Sequence, residues 1–516
     1  MKRFAGSSDC HDAVLNRYTS PNKQNRQAQE TRKRGSNQAT KQQSRQDCKT
    51  AVAQRVRSER PASVSITAIP SRSVPKSVAK NREPDLRSLI FESRGGVMRV
   101  PILGTAAGIE RYLLELGTIT EFPERAGVTR RLYTEAWQKA QIMIYELMCA
   151  AGLEAWMDEV GNVHGRLQGS SDQTILTGSH FDTVVDGGAY DGAYGIIAGI
   201  VALSELKARQ VPLHRSLEVV AFSEEEGSRF PLTCWGSRAL VGKIDTEAML
   251  LCDSQGISLN DAMRSVGLNP SRAHPRRSYD YQGFVELHVE QGSQLEERRK
   301  PIGIVGTIFG QERWIVRVRG ESAHAGTTRM ARRHDALVAA SEMVMAVYRL
   351  SQNNEAHAIA TVGLLQVHHG TANCVPGHVT FTVDLRSAHD EIRRNLALQL
   401  RQDFKESGIR HGVEVVAEKH TDTAAVSMSS HLQHLTRDVA ENLELDTLFL
   451  DSRAGHDAQI LGREMPAGMI FVPSHQGISH HAREFTSARD LANGERVLRN
   501  VLERAANNRY SEDGGG

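Results

Sequence analysis

No stretch of this 516-residue sequence approaches the roughly 18–20 consecutive apolar residues that a bilayer-spanning helix needs, so no membrane segment is expected. Cysteine is scarce and scattered. Cys10, Cys48, Cys149, Cys234, Cys252 and Cys374 include no Cys-x-x-Cys pair, which argues against a disulfide framework or zinc ribbon and for reduced thiols in the cytoplasm. A dominant charge is missing too, the net value being only +2, but the balance is uneven along the chain. Residues 1–86 carry 18 Lys and Arg against 7 Asp and Glu, leaving 45 basic and 54 acidic residues beyond them. The body is therefore acidic, and nothing in it suggests a surface for nucleic acid.

Residues 1–97 also lack hydrophobic periodicity, as NKQNRQAQETRKRGSNQATKQQSRQ illustrates. Such a segment buries too little apolar area to offset its ordering entropy, so a disordered basic tail is expected. The alternatives are a targeting or polyanion-binding arm, or a start codon assigned upstream of an internal candidate, Met98.

What the sequence does have is enough apolar content, 40%, for a chain of two domains. Arg131 to Leu153 reads as an amphipathic helix and Gly161–Leu167 as a short strand. Thr174–Thr177 is a buried strand running into GSHFD, Ala193–Leu206 an apolar helix, and Ser216–Phe222 another strand. This alternation predicts an α/β fold with a mostly parallel sheet and helices on both faces, its site on loops at strand C-terminal ends. Further on, Trp314, Val316 and Val318 alternate with Arg313, Arg317 and Arg319. A helix with Leu337, Ala340, Val344 and Val347 on one face follows, then strands at Ala360–Val367 and His378–Arg386. That order implies a smaller α+β unit with one half-exposed sheet face. Residues 307–420 are accordingly expected to be an inserted lid or dimerisation domain, and 98–306 with 421–510 the catalytic domain.

Five segments carry chemistry. GSHFDTVVDGGAYDGAYG holds His180, Asp182 and Asp191, with Gly187, Gly188 and Gly192 to let the loop bend. SEEEGSRF sets Glu224, Glu225 and Glu226 side by side, where they repel unless cations neutralise some of them. ELHVEQG holds His288, Glu290 and Gln291; GESAHAGTT holds His324; QGISHHARE holds His480 and His481. A single histidine near a strand end is usually structural, and a glutamate run is usually a solvated face. Their joint occurrence after apolar strands is more telling. The oxygen and nitrogen donor mix, without thiolate, suits a co-catalytic Zn or Mn site, in which one carboxylate can bridge two cations.

Together GSHFDTVVDGGAYDG, EEEGSRF, HVEQG, HAGTT, NCVPG followed by DLR, AGHDA and GISH resemble, in order, the metal-dependent amidohydrolases. That family includes allantoate amidohydrolase, N-carbamoyl-L-amino acid hydrolase and β-ureidopropionase, relatives of co-catalytic zinc aminoacylases and exopeptidases. The likeness spans residues 100–505, and FSEEEGSRFPLTCWGS is similar to the allantoate-type enzymes. It implies hydrolysis of a ureido or carbamoyl C–N bond in a small carboxylate substrate, with two divalent ions, Zn or Mn, per chain. Asp191 would bridge them, with His180 and His288 on one and Glu226 and His480 on the other. Asp182 would orient His180, and Glu225 would be the general base. His324 would hydrogen-bond the developing oxyanion, reaching across from a partner subunit or after closure. Asn373 and Arg386 would grip the substrate carboxylate with Gln291 assisting, and the chain would form a homodimer.

Strand alternation independently puts Arg386 on the polar face of His378–Arg386, where a guanidinium fork can meet a carboxylate; the plainer alternative is a salt bridge with Asp384. Three positions depart from the family pattern. Arg329 follows HAGTT where proline is usual, Arg453 stands where glycine is usual, and Ala482 replaces a proline after GISH. A cation at Arg453 would either add a second carboxylate clamp or occlude the pocket. Allantoate is the leading substrate. N-carbamoyl-L-amino acids and β-ureidopropionate are alternatives, and a non-catalytic oligomeric binding protein is the rival of another class.

Overall fold

A computed structural model describes residues 106–507, with 245 and 273–279 left out; the basic segment 1–97 lies outside the described residues. The larger sheet takes strands β1 (Glu154–Met157), β2 (Val163–Leu167), β3 (Gln173–His180), β4 (Ser216–Phe222), β5 (Asp280–Val289) and β6 (Ile302–Ile308) from the first half. A smaller antiparallel sheet follows, with β7 (Gly310–Arg319), β9 (Ala358–Thr361), β10 (Leu365–Val367), β12 (His378–Ser387) and β13 (Glu414–Thr423), beside a two-stranded pair of β8 (Ala323–His324) and β11 (Cys374–Val375). The chain then returns to the larger sheet as β14 (Val426–Ser427), β15 (Thr447–Ser452) and β16 (Ala467–Val472).

The order in the larger sheet is β1-β2-β4-β3-β5-β16-β6-β14, with β15 also on β6. Its centre, β4-β3-β5-β16, is parallel throughout. The flanks are less regular: β1, β2, β6 and β14 each make antiparallel pairings. Central strands are buried on both faces, and every residue of Ser216–Phe222 is buried. The helix Ala193–Ala208 beside them is apolar all round, which is why its sequence shows no amphipathic stripe. Helix Glu135–Ala150 starts where the Thr134 side chain accepts a hydrogen bond from the Trp137 amide. Its buried residues Trp137, Gln141, Ile144 and Met148 recur at helical spacing. The Trp137 indole donates to the Ser223 carbonyl at 2.8 Å, which ties this helix to the glutamate run.

The smaller sheet follows the period-two expectation along β7, with Trp314, Val316 and Val318 inward and Arg313 and Arg317 outward. Helices Ala336–Asn353 and Asp390–His411 cover its inner face through Ala339, Ala340, Met343, Val347 and Leu400. The single strand expected over Ala360–Val367 is two short ones instead, interrupted at 362–364, where Gly363 weakens the ladder. No described helix is long and apolar enough to cross a membrane.

A buried imidazole braces β2 against β4. His164 on β2 lies 2.9 Å from Glu218 on β4 and 3.5 Å from Asp158, with Trp156 stacked at a centroid distance of 4.9 Å. Burial alone would lower its pKa, but the Asp158 and Glu218 carboxylates outweigh that and raise it to about 9. A raised folded-state pKa stabilises the fold fully below the ordinary value of about 6.5 and progressively less up to about 9. We expect wild-type stability to drop by on the order of 3 kcal/mol across that window relative to His164→Gln, measured by urea unfolding. Parallel pH profiles for the two proteins would contradict the assignment.

Candidate metal centre

Four parallel strands deliver the site to one edge of the sheet. His180 is the last residue of β3, His288 the penultimate residue of β5, Glu225 and Glu226 follow β4, and His480 lies in the loop after β16. In register, His180 faces Phe222 and His288 faces Phe471, so the donors emerge at one level.

Asp191 lies at their meeting point. Its Oδ1 is 3.4 Å from His180 Nε2 and 3.2 Å from His288 Nε2, and its Oδ2 is 3.2 Å from His480 Nε2. Glu226 Oε1 approaches His480 Nε2 at 3.2 Å. The far ring nitrogens are already committed. Nδ1 of His288 lies 2.8 Å from the Val289 carbonyl, and Nδ1 of His180 lies 3.3 Å from the Asp182 carboxylate. Carbonyl and carboxylate only accept, so those Nδ1 atoms carry protons and the Nε2 lone pairs point inward. The Gly192 amide, donating to His288 Nε2 at 3.1 Å, requires the same tautomer. Lone pairs aimed at a buried carboxylate need a cation or a proton between them, and Asp191 Oδ1 has no hydrogen-bond partner.

The residues present fit metal ions. Two donors bound about 2.0–2.1 Å from one tetrahedral zinc sit roughly 3.3 Å apart, the spacing found here. Donor atoms of His180, Asp191 and His288 lie within 4.8 Å of one another, as do those of Asp191, Glu226 and His480, so the two groups share Asp191. Burial by itself would push the Asp191 carboxyl up; positive charge between it and His180, His288 and His480, as a proton or a cation, holds it well below the usual carboxylate range.

The glutamate triplet divides its labour. Glu224 turns away and accepts from the Ser228 amide at 3.0 Å, and Glu226 meets His480. Glu225 points into the pocket, where the Cys234 thiol donates to its Oε1 at 3.4 Å. Burial first, and then the neighbouring Glu226 carboxylate, push Glu225 up to about 7. Asp182 supports this segment as well as His180, accepting from the amides of Glu225 at 2.9 Å and Glu226 at 3.2 Å.

Glu484, to which the motif reading gave no role, fixes Asp191 from behind. Its Oε2 accepts from the Tyr190 and Asp191 amides at 2.9 and 3.1 Å. Of the three glycines expected to bend this loop, Gly192 alone has a positive φ, +64°. Gly188 serves differently: a Cβ there would lie 2.0 Å from Glu484 Oε2. Gly187 adopts neither role. His456 is a second omission, its ring 4.7 Å from that of His288, and the AGHDA motif was the signal for it.

The remaining expected residues divide. Gln291 is in the site, its Nε2 donating to Asp191 Oδ2 at 2.8 Å. Arg386 lines the same pocket, yet its fork is taken by Asp384 at 2.9 and 3.0 Å, the plainer alternative for this residue. His324 and Asn373 are not in this pocket's wall. His324 lies on β8 and Asn373 just before β11, where Ala325 donates to the Asn373 carbonyl and Nδ1 of the exposed His324 accepts from the Gly326 and Thr327 amides. Arg453 does not occlude the pocket; it lines a neighbouring cavity, 5.9 Å from the Phe309 ring.

A sequence profile of the peptidase family M20/M25/M40 matches residues 176–504. Allantoate amidohydrolase of Bacillus subtilis (strain 168) is 39% identical over 383 residues, covering 74% of this chain and 93% of that protein. N-carbamoyl-L-amino-acid amidohydrolase of Pseudomonas sp. (strain NS671) is 34% identical over 394 residues, 75% and 95% of the two chains. Among solved structures, an amidase of the hydantoinase/carbamoylase family from Burkholderia multivorans superposes with a TM-score of 0.71 at 31% identity, covering 78% of this chain and 98% of that one.

A chelator-stripped sample is expected to gain thermal stability when Zn(II) or Mn(II) is added. At a hundredfold excess over Kd the gain is about 2.7 kcal/mol, and Asp191→Asn should remove most of it. An unfolding temperature indifferent to either ion, with no ion retained by elemental analysis, would count decisively against the centre.

Proposed function

The chain belongs to the peptidase M20/M25/M40 family, and from that premise we propose that it hydrolyses a ureido or carbamoyl C–N bond of a small carboxylate substrate, allantoate first among them. The observation that carries the proposal is Asp191 facing the inward nitrogens of His180, His288 and His480, with Glu225 and Glu226 alongside. Relatives named for allantoate and for N-carbamoyl-L-amino acids support the bond type.

Two divalent cations, Zn or Mn, would be held by the five residues, His180 and His288 with one, Glu226 and His480 with the other, and Asp191 between. Bound there, they supply Lewis-acid polarisation of a ureido carbonyl, a poor electrophile, and ready deprotonation of water near neutral pH. Glu225 takes a proton from the attacking water and passes it to the leaving nitrogen as the terminal C–N bond breaks, releasing ammonia; the carbamate left on the substrate then loses carbon dioxide as its own C–N bond breaks, leaving an amine. Gln291 stays beside Asp191 and orients the substrate. Arg386 keeps one N–H on each terminal nitrogen after its bonds to Asp384 and to the Arg453 carbonyl, enough for a carboxylate. His324 and Asn373 would complete the site from the partner of a homodimer, or after closure of the smaller sheet.

The reading is tested on a panel of allantoate, N-carbamoyl-L-amino acids and β-ureidopropionate with Mn- or Zn-loaded protein. Ammonia release from at least one is expected, with Glu225→Gln slower by on the order of a thousandfold at unchanged metal content. Inactivity on the whole panel would favour a non-catalytic binding protein. Mixing Glu225→Gln with His324→Ala subunits separates the two routes for His324: recovered activity means it acts across a dimer, and none means closure within one chain.

A further inference from the structure

The metal pocket offers about 130 Å³, room for a group about the size of a benzene ring. A second cavity of about 620 Å³ shares Arg313 and Arg386 with it as wall residues. A ureido acid anchored at Arg386 therefore has its reacting end in the small pocket and anything further along in the large chamber. The chamber's charge is lopsided. Arg313, Arg386, Arg453 and His420 line it, and among the described residues its one carboxylate is Asp384. Asp384 is spent on its neighbours, accepting from Arg313 at 2.9 Å and from both nitrogens of the Arg386 fork.

Arg453 is the uncommitted cation of this wall. Its guanidinium makes one long bond to the Glu355 carbonyl, 3.4 Å, and stands 5.9 Å from the Phe309 ring centroid. Most of its five N–H groups are therefore unused. Its backbone is tied in separately, the Arg453 carbonyl accepting from Arg386 at 2.7 Å, so the side chain can change without loosening the carboxylate anchor. A rigid guanidinium in an apolar, positively biased cleft suits a planar oxygen acceptor.

We propose that Arg453 is a specificity-determining residue that holds a second oxygen-bearing arm of the substrate, a carboxylate or an unhydrolysed ureido group, in the chamber beyond Arg386. The enzyme then prefers two-armed ureido acids over simple ones. This rests on the hydrolase reading above and narrows its substrate class.

The test compares kcat/KM on N-carbamoylglycine, which has no second arm, with N-carbamoyl-L-glutamate, whose arm is a carboxylate, and allantoate, whose arm is a ureido group. Wild type is expected to favour one or both two-armed compounds. In Arg453→Ala the two-armed to one-armed ratio should fall on the order of ten- to a hundredfold, mainly through KM, with partial recovery in Arg453→Lys. Which compound suffers tells carboxylate from ureido recognition. A ratio unchanged in Arg453→Ala, or a wild type preferring N-carbamoylglycine, overturns the assignment while leaving the hydrolase reading intact. No turnover of any of the three by metal-loaded wild type overturns both.

Discussion

A carboxylate does not stay ionised in a dry pocket unless positive charge meets it, and Asp191 faces ring nitrogens on three sides with a place for a cation between. His180, His288 and His480 each aim a ring nitrogen at it from 3.2 to 3.4 Å, and the Val289 carbonyl and Asp182 carboxylate hold the protons of two of those rings on Nδ1, leaving the Nε2 lone pairs to face inward. Much of the surrounding architecture serves to hold this one group and its neighbours in place. Glu484 grips the amides on either side of the Tyr190–Asp191 peptide's turn, Asp182 grips those of Glu225 and Glu226, and Ser179 bonds to the buried Glu286 one layer below. Each brace is a charge meeting a backbone or hydroxyl dipole away from water, where such bonds are strongest.

The parallel centre of the larger sheet makes the convergence possible. In a parallel ladder all C-terminal ends lie along one edge, so one or two donors from each of β3, β4, β5 and β16 suffice. The smaller antiparallel sheet contributes another kind of surface. Its inner face is packed under two helices, and its outer face presents Arg313, Asp384 and Arg386 in cross-strand register. The candidate metal donors and the arginine-bearing face thus come from sheets with different hydrogen-bonding logic, one built to gather loop ends and the other to display side chains.

His180, the glutamate run and His288 stood out in the sequence because they end or follow strongly apolar strands, a local pattern, whereas Asp191 and His480 were assigned as ligands by the family resemblance. Ser216–Phe222 and the alternation along β7 were legible for the same reason. What escaped depends on distance. Glu484 acts through two amides more than 290 residues away, so nothing near it in sequence announces the role. Composition alone did not separate the three adjacent glutamates, although the family resemblance did; chain direction after Phe222 sends Glu224 to the Ser228 amide and leaves its two neighbours at the pocket. Arg386 was placed on the correct face, whereas its partner Asp384, two residues away on that same face, was the nearer claim on its fork. The placement of His324 and Asn373 at a separate two-stranded pair follows from β8 and β11 bonding to each other, a pairing that no periodicity reveals.

The wedge of Glu484 behind Gly188 has a consequence for how the molecule is made. During synthesis the His180 and Asp191 segments leave the ribosome long before His480 and Glu484 do, since almost 300 residues separate them. The nascent chain therefore carries an unbraced cluster of acid and imidazole through most of its translation. The donor set is complete only once the segment after β16 is made and Glu484 can accept from the Tyr190 and Asp191 amides.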